Sequence, residues 1–285
     1  MKILIGCLHF SNFGGSEIYV FEISRALQDI GIEVVIAAQN IGVNMAHKAV
    51  LHGINCVSLS NIADIDFDLI FSNHHEPTKF LLNKYPNTPF ICGIHSEIIK
   101  EEEPVIHPNI KKYIAIRPQI KTSLINHFNI SENKIELIYN PFDTSRFNKQ
   151  NNSRNSDIDI LFVGNNNYLR NGVVQDLIQE SRSKQQNLTL LGSGFQCYKN
   201  IDHVNVIDPL WNTEQYIQRC KYTAGIMLGR STIEGWLCGK SGWIYDVNNR
   251  GQIISKELFH PPKNLNIFDS NYVAERILST AYNYL

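Results

Sequence analysis

The chain has 285 residues, 43% of them hydrophobic, with 26 basic against 27 acidic side chains and a formal net charge of -1. A disordered chain combines low hydrophobicity with high net charge, so this composition excludes disorder, and the balanced charge gives no support to a broad nucleic-acid-binding surface. At roughly 150 residues per domain the length allows two compact domains, and a chain this long buries about three quarters of its unfolded surface.

No charged segment followed by an apolar stretch and a cleavage site opens the sequence, and no apolar run approaches the ~20 residues that cross a bilayer. Cys7, Cys56, Cys92, Cys197, Cys220 and Cys238 lack C-x-x-C spacing, which argues against a zinc knuckle or a disulfide framework. A reduced, cytoplasmic protein is the expectation.

In chain order, strand-like and helix-like segments alternate, which predicts mostly parallel sheets covered by helices. Residues 2–8 read as a buried strand, followed by the loop Ser11-Asn12-Phe13-Gly14-Gly15-Ser16. A helix then carries Val20, Ile23, Leu27 and Ile30 and closes at Gly31 in the manner of a C-cap. Strands are predicted over 32–38, 54–59, 68–72 and 89–94, with weaker ones at 114–116 and 135–138 flanking a helix over 120–128. Residues 148–157 turn polar and Asn-rich, and the domain boundary is placed there, near Asn151.

Beyond it the pattern restarts with a strand over 158–163, a polar loop over 164–172 and a helix over 173–184. Strands follow at 188–191, 204–207 and 224–228, with 243–245 as the last, and helical spacing returns over 272–285. Two doubly wound α/β domains account for this order. In such sheets ligands bind beyond the carboxyl ends of the strands, so function is sought in the loops there.

Gly14-Gly15 lies between strand and helix, where absent side chains let a phosphate or sugar approach the backbone; a tight turn explains the glycines equally well. The full G-x-G-x-x-G and P-loop patterns are absent. His74, His75 and His95 follow strands on the ligand side of the sheet. A metal site from His74, His75 and Glu76 is disfavoured because adjacent residues point apart. His95 reads either as a substrate-facing hydrogen-bond donor or as an ordinary loop histidine. Arg170 and Arg230 suit phosphate oxygens by their fork geometry, with surface arginines as the plain alternative. Ser231-Thr232-Ile233-Glu234 has the form of a capping box in which Glu234 reaches back to the helix start. Lys111, Lys112, Arg117 and Lys121 form the most basic stretch, and with Glu101-Glu102-Glu103 before them they read as a mixed-charge solvated face.

The ordered series resembles a glycosyltransferase of the GT-B fold, most closely glycosyltransferase family 4. Phe13-Gly14-Gly15-Ser16-Glu17, Ile91-Cys92-Gly93-Ile94-His95-Ser96 and the run from Asn133 through Asn140-Pro141-Phe142 to Arg146-Phe147 are similar to that family's N-terminal half. Ile160-Leu161-Phe162-Val163-Gly164 with Arg170-Asn171-Gly172, and Ile233-Glu234-Gly235, resemble its donor-binding half. Two positions depart from the family: the first of its paired glutamates falls on Ile226, and an arginine often found after the strand-ending glycine is Asn165.

The resemblance implies two Rossmann-like domains, 1–150 on the acceptor side and 151–270 binding the donor, with a helix over 271–285 crossing back to the first. It implies a retaining, metal-independent transferase that uses a nucleotide sugar, with uridine as the base, as co-substrate and no cofactor. Glu234 would hold the ribose, and Arg170 and Arg230 the diphosphate, with Gly164, Ser231 and Thr232 beside them. Gly14 and Gly15 would pass close to the phosphates, and His95, with Arg170 as its catalytic partner, would touch the transferred sugar. His74 and His75 would lie on the acceptor side. The expected acceptor is a glycan or lipid-linked sugar, with peripheral membrane contact; a phage-type variant would instead glycosylate a hydroxylated DNA base. A nucleotide-sugar-binding protein without turnover, motivated by Ile226 and Asn165, is the reading from a different class.

Overall fold

The structure is a computed structural model and describes residues 1–147 and 156–284. The polar stretch around Asn151, where the sequence places the boundary, falls largely outside the described residues. The chain divides into two compact units, Met1–Phe142 with Ile267–Leu285, and Asp143–Asn266.

The first unit is built on β1 (Lys2–Phe10), β2 (Glu33–Ile41), β3 (Asn55–Ser58), β4 (Leu69–Asn73), β5 (Phe90–Ile94), β6 (Ile110–Ala115) and β7 (Ile135–Leu137). These form one sheet in the order β3-β2-β1-β4-β5-β6-β7, with every neighbouring pair parallel. Helices α1 (Gly15–Asp29), α2 (Val43–Leu51), α3 (His75–Lys84) and α4 (Pro118–Asn126) connect them. β4 and β5 are buried at every residue, as continuous apolar strands covered on both faces must be. Gly31 takes φ +83 just past α1 and donates to the Gln28 carbonyl, the left-handed stop that a glycine allows without a Cβ clash. The strand predicted over 114–116 begins four residues earlier, at Ile110, because its pairing with β5 extends through the half-buried Lys112 to Ile110, where apolar pattern is lacking.

Two additions complete this unit from the chain's end. Phe142 accepts a hydrogen bond from the Ser270 amide and donates to the Phe268 carbonyl, with Phe142 and Phe268 fully packed edge to face. Asp269 then caps α8 (Ser270–Ala281) by accepting from the amides of Asn271 and Tyr272. α8 buries Val273, Ala274, Ile277, Leu278 and Ala281 and packs against α1. The helical spacing seen over 272–285 ends at Ala281 and tightens to a 3-10 turn over Tyr282–Tyr284.

The second unit holds β8 (Ile158–Val163), β9 (Leu188–Leu191), β10 (Val204–Ile207), β11 (Cys220–Ile226), β12 (Ser241–Val247) and β13 (Ile253–Phe259), ordered β10-β9-β8-β11-β12-β13. Its helices are α5 (Tyr168–Lys184), α6 (Glu214–Arg219) and α7 (Arg230–Leu237). The strand over 243–245 is not the last: β13 follows it antiparallel along the sheet edge. None of its residues is buried, so it has no buried apolar face to give a sign of it. The strand predicted over 224–228 runs instead from Cys220 to Ile226, and Met227, at φ +53, turns the chain out of it. In both sheets the strand order reverses direction beside the first strand, between β1 and β4 and between β8 and β11. That is the crevice where such sheets receive ligands.

Candidate functional site

The two units present separate clusters of polar side chains, each at the carboxyl end of its sheet. In the first unit, Gly14 is the N-cap of α1 in extended backbone, and Gly15 opens the helix. A Cβ on Gly14 would meet the Glu17 carboxylate, so the glycine leaves room for a buried glutamate folded back over the helix start. Glu17 is 8% exposed, accepts from Ser16 Oγ at 3.1 Å, and is pushed above the usual carboxylate range by burial. A carboxylate at a helix N-terminus is favourable, and it takes the place next to the amides that an approaching phosphate would use.

His74 follows β4 and holds φ +68, a conformation that costs a non-glycine residue of order 1–3 kcal/mol and persists where its surroundings over-determine it. Its Nδ1 accepts from the Leu8 amide at 3.3 Å, so Nε2 carries the proton and faces Glu102 Oε1, also at 3.3 Å. Glu102 Oε2 in turn accepts the His95 amide at 3.1 Å. The run Glu101-Glu102-Glu103 is thus not uniformly solvated: Glu102 is buried at 5% exposure while its neighbours are exposed. His75 is bound through Nδ1 to the Glu103 carbonyl at 3.0 Å.

His95 stands at the end of β5, stacked on His74 with ring centroids 6.0 Å apart and edge-on to Tyr19 at 4.5 Å. Its Nε2 lies 3.0 Å from Asn73 Oδ1, and Asn73 Nδ2 donates to the Gly6 carbonyl. Burial lowers the imidazoles of both His74 and His95 to about 4, against the opposing pull of Glu102 on His95, so both rings are neutral near pH 7. The Tyr19 hydroxyl is buried without a hydrogen-bond partner among the described residues, and burial raises it further above its usual range.

The basic stretch is spent on local pairs, as a mixed-charge face requires. Lys112 meets Glu136 at 2.9 Å, Lys121 meets Glu132 at 2.7 Å, Arg117 binds Glu97, and Lys111 donates to the Pro108 carbonyl. Among the described residues no group of three or more His, Cys, Asp or Glu is placed to hold a metal ion.

In the second unit, α5 begins at Tyr168, five residues before the predicted start. Asn167 caps it, its Oδ1 accepting from the Arg170 amide at 3.1 Å. The polar residues 168–172 therefore form the first helical turn instead of a loop, because the cap outweighs their lack of apolar periodicity. Arg170 is carried on that turn over Gly164, its Nε 3.5 Å from where a Cβ on the glycine would stand. The half-buried guanidinium has no carboxylate among the described residues, and burial lowers its affinity for the proton. A partly desolvated cation at a helix N-terminus, with no carboxylate beside it among the described residues, has the charge and placement that suit an anion.

Asn165 and Asn166 tie this loop to the next. Asn165 Oδ1 accepts from Ser193 Oγ at 2.8 Å, and the Asn166 amide donates to the Ser193 carbonyl at 2.8 Å. Gly192, at φ +145, could carry no Cβ without striking the Gly164 carbonyl. Asn165, where the resembling family often has arginine, is thus a loop fastener.

α7 starts after β11 with Gly229 as its N-cap and no side-chain cap bond. This corrects the capping-box reading of Ser231 to Glu234: Ser231 and Thr232 lie inside the first turn, and Glu234 turns inward. It is 5% exposed, 3.5 Å from Arg230 Nε and 3.4 Å from Thr213 Oγ1. Burial raises its carboxyl, with Arg230 and Arg146 pulling the other way. Arg146 binds Glu214 and the Trp211 carbonyl, each at 2.9 Å, and lies over the Trp211 ring at 4.6 Å. Thr232 Oγ1 and Asn166 Oδ1 are buried without partners among the described residues.

Gly164, Arg170, Arg230, Ser231, Thr232 and Glu234 therefore share one end of the second sheet, and Gly14, Gly15, His74, His75 and His95 one end of the first. Sequence reasoning missed Asn73, Glu102 and Tyr19 beside His95, and Thr213, Glu214 and Arg146 beside Glu234. Asn73 had a signal, as a polar residue ending an apolar strand; Tyr19 had none, being one more residue on the buried face of α1.

Residues 13–146 match the family model described as Glycosyltransferase Family 4. None of the curated proteins compared with the chain matches it in sequence. Among solved structures, HepE from Anabaena in complex with UDP-glucose superposes with a TM-score of 0.75 at 14% identity, covering 99% of this chain and 100% of that one. The lipopolysaccharide outer core galactosyltransferase WaaB gives 0.68 at 15% identity, covering all of both chains. An alpha-glucosyltransferase in complex with UDP and DNA containing an HMU base gives 0.58 at 12%, covering 86% of this chain and 80% of that one.

Proposed function

We propose, from the premise that this chain is a GT-B glycosyltransferase with a Glycosyltransferase Family 4 domain over residues 13–146, that it transfers a sugar from a UDP-sugar to a hydroxyl acceptor. The observation that carries this reading is Arg170, a half-buried cation with no carboxylate partner among the described residues, poised over Gly164 on the first turn of α5. A diphosphate supplies the charge that position lacks. Gly164 leaves the backbone open to it, the first turn of α7 adds amides and the Thr232 hydroxyl, and Arg230 stands one turn from Glu234. Glu234, buried and facing inward, is suited to accept from the paired hydroxyls of a ribose. HepE, similar in fold, is described in complex with UDP-glucose, which favours uridine as the base.

The reaction proposed is retaining and metal-independent. Departure of UDP builds negative charge on the leaving phosphate, and fixed guanidinium and helix-terminal amides stabilise such charge without a cation. His95 contacts the transferred sugar, and His74 and His75 support the acceptor side. The acceptor is a glycan or lipid-linked sugar. A DNA acceptor is less well supported, because the lysines and arginine over 111–121 are occupied by local partners. No helix among the described residues is long and apolar enough to cross a membrane.

Thermal unfolding with UDP, other nucleoside diphosphates and a panel of UDP-sugars tests the donor. A ligand at ~100 times its Kd adds roughly 2.7 kcal/mol of stability, and UDP is expected to stand out. Failure of every uridine nucleotide to stabilise the protein would overturn the reading. Binding without transfer to any glycan or lipid-linked acceptor would favour a protein that holds nucleotide sugars without turnover, the alternative raised by Ile226 and Asn165.

A further inference from the structure

We infer that Asn73 is a positioning residue that fixes His95 as a hydrogen-bond acceptor through Nδ1, so that this corner of the site takes a hydroxyl group and rejects a phosphate or carboxylate oxygen. The inference deepens the sugar-binding reading of His95 and rests on it.

Asn73 is fully buried at the end of β4, and its carboxamide has two partners that together leave one orientation. The Gly6 carbonyl can only accept, so the Asn73 NH2 must face it, at 3.2 Å. That turns Oδ1 toward His95 Nε2, at 3.0 Å, and an oxygen there can only accept. His95 Nε2 therefore carries the ring proton. Gly93 makes the arrangement fit, since a Cβ at that position would strike Asn73 Oδ1.

Every other polar group of His95 is also taken. Its amide donates to Glu102 Oε2 at 3.1 Å, and its carbonyl accepts from Arg117 Nη1 at 3.4 Å. Only Nδ1 has no partner among the described residues. On a neutral ring it is a lone pair, which pairs with an O–H and repels an anionic oxygen. The donor role expected of His95 from sequence is thereby reversed, because its N–H is already spent.

The groups that set the charge of this ring are few. Glu102, on the 3-10 turn Lys100–Glu102, favours the imidazolium. His74 at the start of α3 and Arg117 at the start of α4 oppose it, Glu97 binds Arg117, and Tyr19 of α1 meets the ring edge-on. Replacing Asn73 by aspartate adds a carboxylate at the Nε2–H and so favours the imidazolium, whose Nδ1–H can no longer accept from a hydroxyl.

The test uses the full chain labelled with 15N-histidine. In the wild type, two-bond proton–nitrogen correlations should show His95, identified by its absence in His95→Gln, as the neutral Nε2–H tautomer at pH 7. In Asn73→Asp, His95 should titrate at higher pH. The advantage of UDP-glucose over UDP in calorimetric affinity should then fall about five-fold or more from pH 8 to pH 6, while it stays flat in the wild type. The Nδ1–H tautomer in the wild type, or an Asn73→Asp variant whose sugar advantage ignores His95 titration, would overturn the inference. If Asn73→Asp does not fold, the wild-type tautomer decides. If neither UDP nor UDP-glucose binds, the donor reading fails, and the tautomer measurement still decides the role of Asn73.

Discussion

Arg230 Nε lies 3.5 Å from Glu234 Oε1, one turn apart on α7, and this pair replaces the capping arrangement that the sequence suggests. Because Glu234 also accepts from Thr213 and is almost wholly buried, it is held in one place before any ligand arrives. Glu234→Ala is expected to weaken UDP binding on the order of ten- to a hundred-fold, the worth of a hydrogen bond to a charged group. Far-ultraviolet circular dichroism should stay native, and unchanged calorimetric affinity would remove Glu234 from the donor site.

Arg170 has the opposite balance, since it is partly desolvated and has no carboxylate partner among the described residues. Arg170→Met should leave the melting temperature without ligand equal or higher, and should abolish most of the stabilisation that UDP provides. A loss of unliganded stability with full UDP response would show Arg170 to be a structural residue.

His74 and His95 make stability depend on pH. Their folded-state values near 4 lie below the unfolded value near 6.5, so the unfolded chain binds more protons in that window. Stability is fully present above about pH 6.5 and is lost as pH falls toward 4, at up to ~1.4 kcal/mol per pH unit for each ring. Urea unfolding at several pH values should show this slope, and His74→Asn, which tolerates the positive φ, should flatten it.

Gly192→Ala places a methyl group on the Gly164 carbonyl in a backbone conformation that disfavours any side chain. The loop over Asn165 and Asn166 must shift, and Arg170 shifts with it. Expected are a loss of roughly 1–3 kcal/mol in stability and a weaker UDP response, read from the same melts.

Much of the first sheet is legible in the sequence because β1, β4 and β5 are largely apolar buried runs, and β8 and β9 fall where predicted for the same reason. Burial fails as a guide where polar chemistry sets the backbone. Asn167 starts α5 five residues early, Gly229 and not Ser231 starts α7, and β13 is an exposed edge strand with no apolar face to announce it. The candidate residues named from sequence, His95, Arg170, Arg230 and Glu234, are those at strand ends or helix starts, where the local order of elements already fixes their position.

The sequence by itself determined two α/β sheets, the loops that must carry function, and a resemblance specific enough to name residues on them. The tertiary structure alone decided which partners those residues have. Whether Glu234 caps its helix or turns inward, whether Gly14 makes room for a ligand or for Glu17, and which nitrogen of His95 remains open all depend on partners distant in the chain. The physical reason is that apolar periodicity is a local property of the chain. The state of a buried polar atom is set by whichever donor or acceptor the fold brings within 3 Å or so of it.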